Sequence, residues 1–344
     1  MGTEPFDHLG QEMTCFMRSS VLGALAELDL GTTILQNGNS LGAAELARLC
    51  ACDERGAEAL LDALAALGYF AKTGTGAAAR YSVAEEYKSS LDSRHPSTFI
   101  PMMRHMAGLQ RSWARLAWTV RDGKPQDKIP SILGAGQDRV SFIMAMNSIA
   151  VRLVDKAVAS LFSAGVLSFA SKGLRILDIG GASGTYTEAF LKNLPESTAT
   201  IIDLPVAIAQ AKNRFTGTSL ESRVSLIECD FSKDALPSGF DFAWISAIIH
   251  QMNREKSRML YAKALDALKP GGIVGVRDYV MREDRTCPVD GALFGINMLV
   301  NTRDGRVYTY EEIREDLELA GFTQVVHAVD VPSMSAVVTA KKPG

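Results

Sequence analysis

The apolar positions follow two different rhythms along the chain. In the first ninety residues, Val21, Leu22, Leu25 and Leu28 recur at helical spacing, and two short helices are predicted at Leu41 to Cys50 and Asp53 to Leu67. Asp53 is a good N-cap and Gly68 a good stop. Two strand candidates follow, Tyr69 to Lys72 and Arg80 to Val83, joined by Thr73-Gly74-Thr75-Gly76 and an alanine run. Helix, turn, helix and hairpin outline a winged helix. Residues 91–170 read as mostly helical, rich in methionine (Met102, Met103, Met106, Met144, Met146) and broken by Pro96, Pro101, Pro125 and Pro130. The last of these helices is expected from Val140 to about Leu167.

Beyond that point the rhythm becomes strand and helix in alternation. Strands are predicted at Leu174 to Ile179, Thr198 to Asp203, Val224 to Cys229, Phe240 to Ser246, Ile273 to Asp278, Phe322 to Val326 and Ser335 to Ala340. The apolar run of the fourth continues to Ile249. The pattern is that of an α/β chain with a doubly wound, Rossmann-like sheet, whose ligands lie at the carboxyl ends of the strands. It divides the chain into residues 1–90, a winged-helix-like unit; 91–170, a helical linker; and 171–344, the sheet domain.

The first of these strands runs into Asp178-Ile179-Gly180-Gly181-Ala182-Ser183-Gly184 and then a helix from Thr185 to Leu194. Glycines let the backbone turn tightly and approach a ligand closely before a helix N-terminus. The dinucleotide spacing G-x-G-x-x-G fails, because the third and sixth positions from Gly180 are Ala182 and Thr185. A P-loop fails too, since no Gly-Lys-Ser/Thr follows. A glycine turn kept only for tight strand-to-helix packing is the alternative. It does not account for Asp203 and Asp230, which recur at the next two strand ends. Asp203, about 20 residues past the glycines, is placed to accept from ribose hydroxyls. Asp230 can accept from an adenine amino group while Phe231 stacks on its face, although a capped turn would use the same residues.

His250 follows the fourth apolar run and opens the polar segment His250-Gln251-Met252-Asn253-Arg254-Glu255. An imidazole at a strand end, at the mouth of a ligand cleft, is the usual side chain for taking a proton near neutral pH. Asp278 ends the fifth strand. Fourth and fifth strand ends are often neighbours in a parallel sheet, so Asp278 is a candidate to orient His250; an ion pair with Arg277 is the competing use.

Composition and charge narrow the classes. At 344 residues and 47% hydrophobic, the chain is long enough for two cores. A net charge of −3 offers no footprint for nucleic acid or an anionic membrane. The would-be recognition helix carries Arg55 against Glu54, Glu58 and Asp62, which argues against a DNA-binding regulator. Its apolar positions, with those of the helix at 16–30, suggest packing against a second subunit and hence a homodimer. No apolar run approaches the ~18 residues that span a bilayer. Met1 to Gln11 carries Glu4 and Asp7 and no basic-then-apolar pattern, so the expected compartment is the cytoplasm. Five cysteines, with Cys50 and Cys52 as a lone C-x-C, argue against a disulfide framework and against a metal site.

Together these residues resemble the small-molecule O-methyltransferases of the plant caffeate and bacterial antibiotic type. These pair a winged-helix dimerisation domain with a class I S-adenosylmethionine-dependent methyltransferase domain. The likeness covers almost the whole chain: the glycine turn, Ile202-Asp203-Leu204-Pro205, Cys229-Asp230-Phe231, His250, Leu268-Lys269-Pro270-Gly271-Gly272, Phe142-Ile143-Met144-Ala145-Met146, Asn297-Met298-Leu299 and Asp304-Gly305-Arg306. It implies S-adenosylmethionine as cofactor, with Asp178, Gly180 and Gly181 at its methionine end, Asp203 at the ribose, Asp230 and Phe231 at the adenine, and Leu204 among the cofactor-binding residues. Ser246 stands where many plant members have a lysine that meets the cofactor. It further implies His250 as general base, with Asp278 as its partner, and an acceptor pocket of Phe142, Met146, Met252, Phe294, Asn297 and Met298. No metal is implied.

Two departures bear on the acceptor atom. His250-Gln251 stands for the common His-Asp, and Gly305-Arg306-Val307 for Gly-Arg-Glu, so Val307 removes a second carboxylate that flanks the histidine in plant relatives. Transfer to carbon, nitrogen or sulfur, or a non-catalytic ligand-binding role, therefore stand beside transfer to a hydroxyl.

Overall fold

The computed structural model describes residues 5–168 and 173–344, so Glu4 lies outside the described residues. Two compact units emerge: Met1–Ala114 with Asp127–Ser148, and Arg115–Gln126 with Ile149–Gly344.

The first unit is helical with one hairpin. Its opening helix, Pro5–Glu27, starts well before the apolar positions that announce it. Glu54–Ala66 begins at Asp53, whose carboxylate accepts from the Gly56 amide at 2.9 Å. Strands β1 (Phe70–Thr73) and β2 (Arg80–Val83) pair antiparallel. Leu25, Ile34, Leu61, Leu64, Tyr81 and Ile100 fill the core. Pro101 starts a helix, Ile100–Trp113, rather than breaking one as its residue type suggests; a proline in the first turn lacks only an N–H that would be unpaired anyway. The long helix is displaced toward the N-terminus, Gly134–Ser163.

The second unit is a seven-stranded sheet. Strands β3 (Arg175–Ile179), β4 (Thr198–Asp203), β5 (Val224–Glu228), β6 (Phe240–Ser246) and β7 (Leu268–Asp278) run parallel. A two-residue ladder, β8 (Val280–Met281) with β9 (Tyr308–Thr309), stands apart. Strands β10 (Thr323–Val329) and β11 (Ala336–Lys341) complete the sheet, whose order is β10-β11-β7-β6-β3-β4-β5. Only β11 is reversed, inserted antiparallel between β7 and β10. After β5 the chain returns across the sheet to lay β6 against β3, so the topological switch falls between β3 and β6, where an open α/β sheet binds its ligands.

Alternation sorts the side chains to two faces. Leu177, Ile179, Ala243, Ile245, Val274 and Val276 pack on one side with Leu260, Tyr261 and Leu317. Ile176, Phe242, Trp244 and Val337 pack on the other with Phe190, Val158 and Leu161. β7 begins five residues before the expected Ile273, because helix Arg254–Ala267 runs straight into it and Leu268 pairs with Phe240. Among the described residues, no helix is long and apolar enough to cross a membrane.

Candidate active site

The strand ends at the switch point carry the candidate residues. Gly180 has φ +69°, and a β-carbon there would meet Ile248 Cδ1 at 2.6 Å and Phe231 Cε1 at 3.4 Å. A β-carbon on Gly181 would meet Asp178 Cγ at 2.7 Å. The turn is thus closed over Asp178, which is 1% exposed and accepts from the Thr187 hydroxyl at 2.7 Å. Burial pushes its carboxyl up to about 7. Asp203 accepts from the Ala182 amide at 2.8 Å and from the Leu204 amide at 2.7 Å, tying the tip of β4 to the glycine turn. Burial raises its pKa against those two bonds. Asp230 lies on the rim; the Lys233 ammonium at 2.8 Å, then the Ser232 hydroxyl at 2.5 Å, hold its carboxyl down to about 2. Phe231 is fixed through its carbonyl, which accepts from Lys263 Nζ at 2.8 Å.

β6 ends at Ser246, three residues short of the apolar run. Ala247 takes φ +57°, the left-handed region that costs a residue with a β-carbon about 1–2 kcal/mol, and Ile249–Gln251 form one turn of 3₁₀ helix. This kink drops His250 beside the end of β7. His250 Nδ1 lies 2.9 Å from both carboxylate oxygens of Asp278, and its backbone N–H donates to Oδ2 at 3.3 Å. Both residues are buried, His250 at 7% exposure and Asp278 at 1%. Phe294 meets the imidazole edge to face, ring centroids 4.9 Å apart. The Arg306 amide donates to the His250 carbonyl at 2.9 Å, and a β-carbon on Gly305 would meet that carbonyl at 2.6 Å, so Gly305-Arg306 is seated against the histidine backbone. Asp278 does not pair with Arg277. The two point to opposite faces of the strand, and Arg277 Nη1 donates to Ser246 Oγ at 2.8 Å.

Sequence comparison bears directly on this geometry. Residues 113–323 match the model of an O-methyltransferase domain, and residues 11–86 match that of an O-methyltransferase dimerisation domain. The chain belongs to the O-methyltransferase family.

Its members are S-adenosylmethionine-dependent enzymes, and so is this one. It is 30% identical to 3-hydroxy-5-methyl-1-naphthoate 3-O-methyltransferase of Streptomyces sahachiroi, over 82% of this chain and 80% of that one. It is also 30% identical to acetylserotonin O-methyltransferase of Gallus gallus, over 94% of each. The solved structure of human N-acetylserotonin methyltransferase in complex with S-adenosylmethionine superposes with a TM-score of 0.78 over the full length of both chains, at 25% identity.

The remaining sequence-predicted residues of this O-methyltransferase fall on several elements. Phe294, Asn297 and Met298 share the helix Val289–Asn301 at spacings of three and four, hence one face. Met298 is buried, and Asn297 Oδ1 accepts from Asn301 at 3.0 Å. Met252 is half-buried just past the histidine turn, where its carbonyl accepts from the Tyr308 hydroxyl. Phe142 and Met146 lie on the N-terminal part of helix Gly134–Ser163; Phe142 is 46% exposed, with its ring 5.2 Å from that of His105. The sequence reading missed Arg214, whose guanidinium donates to the Ser183 carbonyl at 2.7 Å, to Thr185 Oγ1 at 3.0 Å and to Glu188 at 2.7 Å. It clamps the glycine turn from a helix, 31 residues beyond Ser183, a distance no local pattern reveals. Thr187 and Ile248 were missed as well; only their proximity in the fold marks them.

Proposed function

We propose that this O-methyltransferase methylates a hydroxyl of a small, flat, largely apolar aromatic acceptor, with His250 as general base. The observation that carries the reading is the buried His250–Asp278 pair at 2.9 Å, which engages Nδ1 and leaves Nε2 for the acceptor.

The residues at the other strand ends suit the cofactor. Two carboxylates, Asp203 and Asp230, offer acceptors of the kind that ribose hydroxyls and an adenine amine require, and Phe231 beside Gly180 offers a ring for the base. Neither a Gly-Lys-Ser/Thr segment nor the dinucleotide spacing is present to hold phosphates, which S-adenosylmethionine lacks. Asp203 and Leu204 would hold the ribose, Asp230 and Phe231 the adenine, and Gly180, Gly181 and Ser246 the amino-acid end. Asp178, enclosed beneath Gly181, would support the turn from behind. When bound, the cofactor supplies an electrophilic methyl group on a sulfonium.

The protein's own residues then do three things. Asp278 accepts from Nδ1–H and so fixes the imidazole with Nε2 unprotonated. Nε2 takes the acceptor's hydroxyl proton as the oxygen becomes nucleophilic. Phe294, Met252 and Met298 exclude water and receive an apolar ring, and methionine side chains adapt to related shapes. The same reading gives Phe142 and Met146 acceptor contacts through the likeness of their F-x-x-x-M segment alone. Acceptors named for the relatives, a hydroxynaphthoate and acetylserotonin, are aromatic compounds of this kind.

Residues 1–90 form the dimerisation unit in this proposal, 91–170 the helical segment that contributes to acceptor binding, and 171–344 the cofactor domain. A cytoplasmic location agrees with five cysteines that are all free thiols.

His250→Ala should lower turnover by ~10²–10⁴ with the affinity for S-adenosylhomocysteine nearly unchanged. Unchanged turnover would move the reaction to an acceptor that needs no base, such as carbon, nitrogen, sulfur or an already ionised oxygen.

A further inference from the structure

The guanidinium of Arg277 is buried on the sheet face opposite the His250–Asp278 pair and has no counter-charge of its own. The residue is 4% exposed, and no ion pair involves it among the described residues. Nη1 donates to Ser246 Oγ, the guanidinium carbon sits 5.1 Å from the ring centroid of Tyr186, and Nε has no partner. Tyr186 in turn packs against Trp244, ring centroids 5.6 Å apart, and the Tyr186 hydroxyl and Trp244 Nε1 are buried without a hydrogen-bond partner. A guanidinium enclosed with spare N–H groups is costly unless an anion completes it, and its planar fork matches a carboxylate.

The order of the strands says which carboxylate. Asp203 and Asp230, the acceptors suited to a nucleoside, stand at the ends of β4 and β5, on one side of β3. Ser246 and Arg277 stand opposite each other at the ends of β6 and β7, on the other side. Tyr186 comes from the helix that the glycine turn opens. A ligand laid across the switch point with its nucleoside over β4 and β5 carries its amino-acid half toward β6 and β7.

We propose that Arg277, positioned by Ser246 and the Tyr186 ring, binds the α-carboxylate of the cofactor's methionine moiety, the sole anionic group of S-adenosylmethionine. This rests on the cofactor placement proposed above. It assigns Arg277 to cofactor selection and leaves proton transfer to the opposite face of the sheet.

The test is calorimetry with three ligands on the full-length protein: S-adenosylhomocysteine, its decarboxylated analogue, and methylthioadenosine, which lacks the whole amino-acid group. Wild type should bind S-adenosylhomocysteine at least tenfold more tightly than the decarboxylated analogue. Arg277→Met should lose that preference, with methylthioadenosine binding unchanged within twofold, and Arg277→Lys should restore part of it. The wild-type comparison needs no variant, so a folding failure in Arg277→Met does not decide the matter. Equal wild-type affinity for the first two ligands, with methylthioadenosine still bound, would overturn the role of Arg277 and leave the nucleoside site standing. Binding of none of the three would overturn the cofactor placement and this proposal with it. A raised acceptor KM in Arg277→Met with S-adenosylhomocysteine affinity unchanged would assign the guanidinium to an acceptor carboxylate and overturn the proposal as stated.

Discussion

At Asp178 the chain encloses a carboxyl whose side chain accepts from the Thr187 hydroxyl, and burial lifts it from 3.8 to about 7. A carboxyl with a folded pKa above its unfolded one favours the folded state while protonated. That contribution is fully present below pH 4 and is lost as pH rises toward 7. Asp178→Asn keeps an acceptor for Thr187 and cannot ionise. Urea denaturation should find it more stable than wild type at pH 8 by on the order of 2–4 kcal/mol, and nearly equal at pH 4. Equal stability at both values would mean that the ionised acid is compensated in the fold. Asp203 is the contrasting case, half-buried with two backbone amides on its oxygens. Asp203→Ala should weaken S-adenosylhomocysteine binding by roughly 1.5–3 kcal/mol, read by calorimetry, because it removes a charged acceptor. The identities of these acids were legible from their places at strand ends. Which of them is enclosed was not, because burial depends on Gly181 and Thr187 closing over Asp178 in three dimensions.

The glycine turn and the helix behind it work as one element. Gly184 caps helix Thr185–Asn193 at φ +78°, and a β-carbon there would meet Phe215 Cε2 at 2.6 Å and Ile201 Cδ1 at 2.8 Å. Gly184→Ala should therefore cost roughly 2–4 kcal/mol in chemical denaturation, from the left-handed backbone and the overpacked core together. Arg214 acts on the same turn from outside. Arg214→Ala should raise the Kd for S-adenosylhomocysteine several-fold with a smaller effect on thermal stability, since the bonds lost hold a loop rather than a core. A loss of stability without a change in Kd would make the clamp purely structural. Element types along the sheet were readable because apolar runs alternate with 3.6-residue periods. Boundaries were less so: β6 ends at the expected Ser246, but β7 begins early because Leu268 finds Phe240 across the sheet, and the positive φ of Ala247 that turns the chain after β6 is not announced by an alanine.

On the scale of the whole molecule, the first unit leaves an apolar stripe uncovered. Phe6, Leu9, Met13 and Phe16 follow one another at spacings of three and four on Pro5–Glu27, with Met17 four residues after Met13, and each is more than half exposed. The helix Glu54–Ala66, expected to share that role, instead buries Leu61 and Leu64 in its own core, and its Asp62 accepts from Tyr81 and Lys72 at 2.6 Å each. In a chain with a matched dimerisation domain, we propose the stripe at residues 6–17 as part of the surface for a second copy. Leu9→Glu with Phe16→Glu should convert a dimer at micromolar concentration to a monomer in sedimentation velocity, with the circular dichroism of the folded chain kept. A variant that still sediments as a dimer would place the interface elsewhere.

By itself the sequence determined the kind of molecule. Period-two and period-3.6 patterns are local properties of the backbone, so they announce an alternating sheet after residue 173 and a helical unit before it. The glycine spacing and the acids at strand ends select the class of ligand for the same reason, since a turn's reach is set by residues within it. Only the tertiary structure decided the pairings. His250 and Asp278 are 28 residues apart, and Arg214 acts on a turn 31 residues earlier. Arg277 became visible as an unpaired charge only when β7 turned its side chain away from Asp278, onto the face of Tyr186. Contacts of that separation come from strand order and side-chain facing, which arise when β6 returns across the sheet to lie against β3.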